Sequence, residues 1–163
     1  MTIIITRKGY DKLSNELNEL VHNERPKAYQ MLEETRPIGV SDEFPPEYLQ
    51  AIDFQNRIEK KISDLQDILR DSRIFEKTMI CYNEKGNYKI GFGATVTFIN
   101  TETEEIKRYT IVSTYESDIS NGLISIQAPF VKEMIGLSLN DYFEYNDNEY
   151  EIINIQYLSL IHI

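Results

Sequence analysis

The apolar residues of this chain change period once, near residue 73, and that change divides it into a helical half and a strand-rich half. From Thr6 to about Arg36 they recur in steps of three and four, at Tyr10, Leu13, Leu17 and Leu20, then more thinly at Ala28 and Met31. This is one narrow helical stripe, with Thr6 as its expected N-cap. Pro26 lies inside the pattern and lacks a backbone donor, so the spacing predicts a kink or short break over residues 23–26. Pro37-Ile38-Gly39 and Ser41-Asp42-Glu43-Phe44-Pro45-Pro46 cannot continue a helix and read as a turn. A second helix is expected from about Pro46 to Ser72, with Tyr48, Ile52, Gln55, Ile58, Ile62, Leu65 and Leu69 as its stripe. Alternating steps of four and three are the seam of a coiled coil. Two such helices joined by a short turn pair antiparallel, each arm about 40 Å long.

Beyond Arg73 the period is two. Residues 91–99, 106–115, 123–126, 141–145 and 149–158 are β-rich runs separated by turn clusters, and Phe130 to Ile135, between Pro129 and Gly136, is one short helical candidate. The expected fold class is α+β: an N-terminal antiparallel α-helical coiled-coil hairpin over residues 1–75, a linker or first-strand region over 76–90, and a compact α+β domain over 91–163. Polar interruptions at Glu24, Lys27 and Gln55 weaken an intermolecular seam, so the hairpin is expected to close on itself in a monomer.

Composition narrows the function. The 163 residues carry 17 Lys+Arg against 27 Asp+Glu, a formal net charge of -10. Residues 1–72 hold 10 basic and 14 acidic side chains and residues 73–163 hold 7 and 13, so neither half is basic. Free-standing binding to a phosphate backbone is disfavoured; if the chain acts on nucleic acid, something else holds the substrate. One cysteine, Cys81, excludes a disulfide framework and a Cys-rich zinc site. No window approaches the ~20 apolar residues of a membrane span, and a cytoplasmic protein is expected. Neither His22 nor His162 sits in a catalytic pattern, no Gly-rich phosphate loop or Gly-x-Ser-x-Gly elbow is present, and self-contained catalysis is not indicated.

The concentrated oddity is the turn, where Asp42, Glu43 and Glu47 surround Phe44 and two prolines. One reading is structural: Asp42 caps the second helix while Glu43 and Glu47 complement its positive end. The other is chemical. Carboxylates on a turn can share a hard cation such as Mg²⁺, which prefers oxygen and takes only one or two protein carboxylates, with the remaining ligands supplied by a partner. Arg25, Lys27 and Arg36 are the basic residues of the first arm placed to contact RNA.

The whole arrangement resembles the Gre family of bacterial transcript cleavage factors. The likeness rests on the opening Thr6-Arg7-Lys8-Gly9-Tyr10-Asp11-Lys12-Leu13 with Glu16-Leu17 and Leu20, and on Arg25-Pro26. It continues through Gly93-Ala94-Thr95-Val96, Tyr109-Thr110-Ile111-Val112, Glu116-Ser117-Asp118, Ile124-Ser125, Ala128-Pro129 and Ile135-Gly136. The resemblance implies a C-terminal domain of FKBP-like fold that docks at the rim of the secondary channel of RNA polymerase, with Pro129, Ile135 and Gly136 as candidate contacts. The hairpin would enter that channel, where the 3′ end of backtracked RNA lies. Acids at the turn, here Asp42 and Glu43 with Glu47, would help hold an Mg²⁺ shared with the polymerase active site and stimulate RNA cleavage. The family pattern at the turn is Gly-Asp-Leu-x-Glu-Asn-Ala-Glu-Tyr; this chain reads Gly39-Val40-Ser41-Asp42-Glu43-Phe44-Pro45-Pro46-Glu47-Tyr48, one residue longer. Neither alignment frame keeps the full Asp-x-x-Glu pair. Two alternatives follow: a channel-binding polymerase regulator without cleavage, and a prolyl isomerase or chaperone. The second needs an aromatic-lined pocket, whereas Phe92, Phe98, Tyr109, Phe130 and Tyr142 read more simply as strand and core residues.

Overall fold

The computed structural model describes residues 2–39 and 43–158 and separates into two compact units, Tyr10–Ser72 and a second formed by Thr2–Gly9 with the chain from Arg73 onward. In the first unit, α1 (Arg7–Glu19) runs through a π-helical turn (Leu20–Glu24) into α2 (Arg25–Thr35), and α3 (Pro46–Asp71) returns against α2 and the π-turn. The expected break near Pro26 is a π-turn instead. Arg25 N–H reaches back five residues to the Leu20 carbonyl. Widening the turn absorbs one extra residue just before the proline, which has no N–H to give and whose ring would crowd an α-helical carbonyl.

The π-turn also sets the buried stripe. Leu13, Leu20 and Ala28 are buried in the first arm, spaced by seven and then eight residues. The eighth residue is the one the π-turn absorbs, so Ala28 returns to the face that Leu20 occupies. On α3 the buried positions are Ala51, Ile58, Ile62 and Leu65, while Tyr48, Ile52, Gln55 and Leu69 are half-buried. Toward the turn the seam is thus lined by Ala28 and Ala51, both without exposed surface. Side chains that small let helix backbones approach closely.

In the second unit the order of the five-stranded sheet is β5-β4-β3-β7-β6. Its strands are β3 (Thr95–Asn100), β4 (Ile106–Val112), β5 (Leu123–Ser125), β6 (Tyr142–Tyr145) and β7 (Asn148–Gln156). All neighbours are antiparallel except β4 and β5, which are parallel. A register shift between Thr97 and Phe98 marks a bulge in the β3–β7 ladder. The short helix α4 (Pro129–Met134) buries Val131 and Met134 in the same core as Val96, Phe98, Ile111 and Ile152. Pro129 opens it and Gly136, at φ 85°, follows it.

Several local expectations change. Strand β3 begins at Thr95, not Gly91, because Gly93 sits at φ 83° and the Ala94 N–H closes a turn onto the Gly91 carbonyl at 3.2 Å. Ile3–Ile5 forms β1 and pairs with β2 (Ser72–Ile74) in a two-stranded sheet. Residues 76–90, expected as a linker or first-strand region, lie in the second unit and place Ile80 and Ile90 in its core. Among the aromatics expected in strands and core, Phe98 is buried, Phe92, Tyr109 and Phe130 pack half-buried against the core, and Tyr142 is exposed.

One carboxylate organises the start of α1. Thr6 caps the helix as expected, its Oγ1 accepting the Gly9 N–H at 3.0 Å. The Thr6 hydroxyl in turn donates to Glu116, and the Thr6 N–H reaches Glu116 Oε2 at 3.3 Å. A capping box ordinarily draws that glutamate from the third helical position; here that position is Gly9, and the carboxylate arrives from 110 residues away. Glu116 also accepts from Ser113, at 2.8 Å from Oγ and 3.3 Å from the backbone N. A Cβ built on Gly9 would lie 2.1 Å from Glu116 Oε1 and 2.6 Å from its Cγ.

Gly9→Ala should therefore destabilise the chain by about 1–2 kcal/mol, although alanine ordinarily favours a helix over glycine by up to about 1 kcal/mol. In a Glu116→Ala background the same substitution should change sign and stabilise, which a double-mutant cycle by chemical denaturation reads directly.

Tyr157 yields a second test. It is buried, and its hydroxyl donates to the Lys89 carbonyl at 2.5 Å. Burial above all pushes its phenol up to about 12. Because the neutral form is the one the fold favours, this contribution is complete below about pH 10 and lost as pH rises toward 12. Tyr157→Phe should remove that alkaline slope in urea melts, at a cost of about 1 kcal/mol near neutrality for the lost hydrogen bond.

Candidate functional site

The turn between α2 and α3 is framed by residues that each fix the backbone. Helix α2 stops at Thr35, whose hydroxyl donates to the Met31 carbonyl at 2.6 Å, and Arg36 leaves the helix at φ -57°, ψ 126°. Pro37 follows, and Gly39 adopts φ 97°, a conformation open to glycine. On the return side Pro45 is the N-cap of α3 and Pro46 its first residue; the Pro45 carbonyl accepts from Tyr48 N at 3.1 Å and Leu49 N at 3.2 Å. Prolines at these positions lose no helical hydrogen bond and arrive with the required φ.

On this frame Glu43 and Glu47 are both exposed, four residues apart, with Glu47 in the first turn of α3. Asp42, the third acid expected here, lies outside the described residues. Phe44 between them is 57% exposed, its ring 5.4 Å from that of Tyr48. Ile38 is fully exposed. Glu47 in the first turn of α3 complements the helix dipole as the structural reading expected, but the N-cap is Pro45 and not Asp42, because α3 starts only at Pro46. Among the described residues no group of three or more His, Cys, Asp or Glu is arranged to hold a metal ion. The donor set fits Mg²⁺ in kind, being carboxylate oxygen, and in number fits only an ion whose other ligands come from elsewhere.

The candidate RNA contacts on the first arm each have an acidic partner. Arg25 forks onto Glu59 of α3, Nε to Oε1 at 2.8 Å and Nη2 to Oε2 at 2.9 Å, and that hydrogen-bonded pairing raises its pKa further. Arg25 starts α2, ten residues before its end, and Glu59 lies thirteen residues into α3, as an antiparallel return requires. Lys27 pairs with Glu24 at 3.4 Å and Arg36 with Glu33 at 3.0 Å. The candidate docking residues bracket α4: Pro129 at its start, Ile135 and Gly136 at its end, all exposed. Cys81 and His22 are exposed, and His162 lies outside the described residues. Among the described residues no helix is long and apolar enough to cross a membrane.

Arg25→Lys keeps the charge and loses the fork. Its melting temperature should fall by no more than about 2 °C, a difference that shrinks in about 1 M salt, where charges are screened within about 3 Å.

Comparison with known proteins covers both units. Residues 3–74 match the family model described as "Transcription elongation factor, N-terminal", and residues 85–157 match "Transcription elongation factor, GreA/GreB, C-term". The chain is 38% identical over 160 residues to the transcription elongation factor GreA of Rickettsia prowazekii, covering 96% of this chain and 95% of that one. To GreA of Paracoccus denitrificans it is 35% identical over 160 residues, covering 96% and 98%. Among solved structures, the GreA factor homolog 1 (Gfh1) protein of Thermus thermophilus aligns with a TM-score of 0.42 at 23% identity, over 96% of this chain and 99% of that one.

Proposed function

The chain belongs to the GreA/GreB family of transcription elongation factors, and from that premise we propose that it binds RNA polymerase through the secondary channel and stimulates cleavage of the 3′ end of backtracked RNA. It acts as an accessory factor: the polymerase owns the reaction centre and this chain completes it. The observation that carries the reading is the exposure of Glu43 and Glu47 on a proline- and glycine-braced turn between two paired helices, within a chain whose relatives are elongation factors.

A shared Mg²⁺, once bound in the complex, supplies charge neutralisation at the scissile phosphate and lowers the pKa of attacking water. Asp42 and Glu43 are the residues of this chain that would hold it, with Glu47 alongside. Their carboxylates also accept hydrogen bonds from the attacking water, so its oxygen meets phosphorus while the 3′-oxygen of the preceding nucleotide departs with a proton. Prolines restrict the backbone on both sides, Pro45 and Pro46 on one and Pro37 on the other, while Gly39 supplies the positive φ of the turn. The net charge of -10 is then no obstacle, because the turn recruits cations and the polymerase supplies the grip on nucleic acid.

Purified protein added to backtracked complexes of its cognate polymerase should accelerate release of short 3′ RNA fragments. Asp42→Ala and Glu43→Ala should each reduce that rate on the order of 100-fold without weakening binding to polymerase. Undiminished cutting by both variants would end the reading. Binding by the wild-type chain with no cutting would identify a channel-binding regulator instead.

A further inference from the structure

The turn between α2 and α3 carries a large apolar ring that the helix seam does not use. Phe44 stands between Glu43 and Pro45 and is 57% exposed. Folding gains little from a ring left in water, yet this one is held. Pro45 confines the backbone of the residue before it to extended conformations. One side of the ring meets Tyr48, with centroids 5.4 Å apart and planes at 51°. Tyr48 is itself half-buried on α3, so the support belongs to the helix. The rest of the ring faces solvent, an aromatic surface with little side-chain freedom left to lose on binding.

Three features select the occupant. The first is charge: Glu43 adjoins the ring and Glu47 follows it in the first turn of α3. A phosphate is repelled there unless a cation intervenes, whereas the uncharged face of a nucleobase is not. The second is reach. Consecutive Cα atoms lie about 3.8 Å apart, so a chain whose Glu43 holds an ion at the scissile phosphate brings Phe44 within a side chain's length of the adjoining base. The third is vacancy on the ligand's side. A base extruded from a duplex has lost its stacking partners, and an aromatic ring replaces one of them for any base, because every base has a π-face. Phenylalanine has no hydrogen-bonding group in its side chain, so it grips the base without reading its edge.

We propose that Phe44 stacks on the unpaired 3′ base of the extruded RNA and so positions the scissile phosphate against Asp42 and Glu43. The inference rests on the cleavage reading above and adds to it the group that holds the substrate.

The test uses complexes of the cognate polymerase backtracked by one nucleotide, with 2-aminopurine, whose fluorescence is quenched by stacking, as the 3′ base. The full chain should quench it on mixing, before fragments are released. Phe44→Leu, which keeps apolar bulk beside Tyr48, should not, and Phe44→Tyr should. On unmodified RNA, Phe44→Leu at saturating concentration should cut about tenfold more slowly, the size of one lost base–aromatic stack. Its affinity for polymerase free of nucleic acid should not change, and its deficit should vanish on RNA whose 3′ nucleotide is abasic. Quenching by the full chain without cutting would remove the cleavage reading and leave the stack standing; cutting without quenching would do the reverse. The proposal is also overturned if Phe44→Leu quenches or cuts as the wild type does, which a plain apolar contact with the polymerase would produce, or if its deficit persists on abasic RNA.

Discussion

The Glu116 carboxylate answers the two groups of donors that the start of this fold would otherwise leave open. Helix α1 begins Arg7-Lys8-Gly9 and has no acid in its first turn, so its positive end is faced locally by two more positive charges, an arrangement the helix dipole opposes. Glu116 supplies the missing negative charge from across the sequence, accepting from Thr6 while also closing a local capping box on Ser113. A single side chain therefore fixes the first turn of a helix and a 3₁₀ turn, Thr114–Glu116, at once. The requirement for glycine at position 9 follows from that closeness, since any Cβ there displaces the carboxylate that α1 needs.

Once α1 is started, its continuation depends on phase. A helix that met Pro26 in plain α geometry would either kink or leave a carbonyl unpaired. The π-turn at Leu20–Glu24 takes up one residue instead, and the eight-residue step from Leu20 to Ala28 is the counterpart in the sequence. Helix α3 then finds a continuous buried stripe to pack on, and Arg25, placed immediately after the π-turn, reaches Glu59 with both nitrogens. Arg25, Lys27 and Arg36 are each paired with an acid on the same unit.

Much of this was legible from residue spacing. Helix α3 runs from Pro46 to Asp71 as its three–four pattern required, Thr6 caps α1, and Pro129 with Gly136 brackets α4. The strands emerged from period-two runs, although Gly93 delays β3 by four residues because its positive φ belongs to a turn. Other features had no local signal. Ile3–Ile5 is too short to read as a strand without its partner at Ser72–Ile74, and Ala51 is outweighed by Ile52 in any apolar count, yet the alanine is the buried one. Pairings across 34 and 110 residues, Arg25 with Glu59 and Thr6 with Glu116, cannot be inferred from one sequence. At the turn, the Pro and Gly residues announced where Glu43 and Glu47 would stand; their exposure on a braced backbone required coordinates.

The turn and the sheet treat charge in opposite ways, and this separates their chemistry. At the turn, carboxylates are exposed on a backbone stiffened by prolines, a setting that attracts hard cations and gains from them only when further ligands arrive. At the sheet, Glu105 and Lys107 pair with one another beside a cluster of packed aromatic rings. Because the first lies in the helical unit and the second in the sheet unit, no residue belongs to both, and a substitution that acts through the chemistry of the turn leaves the pairing at the sheet intact.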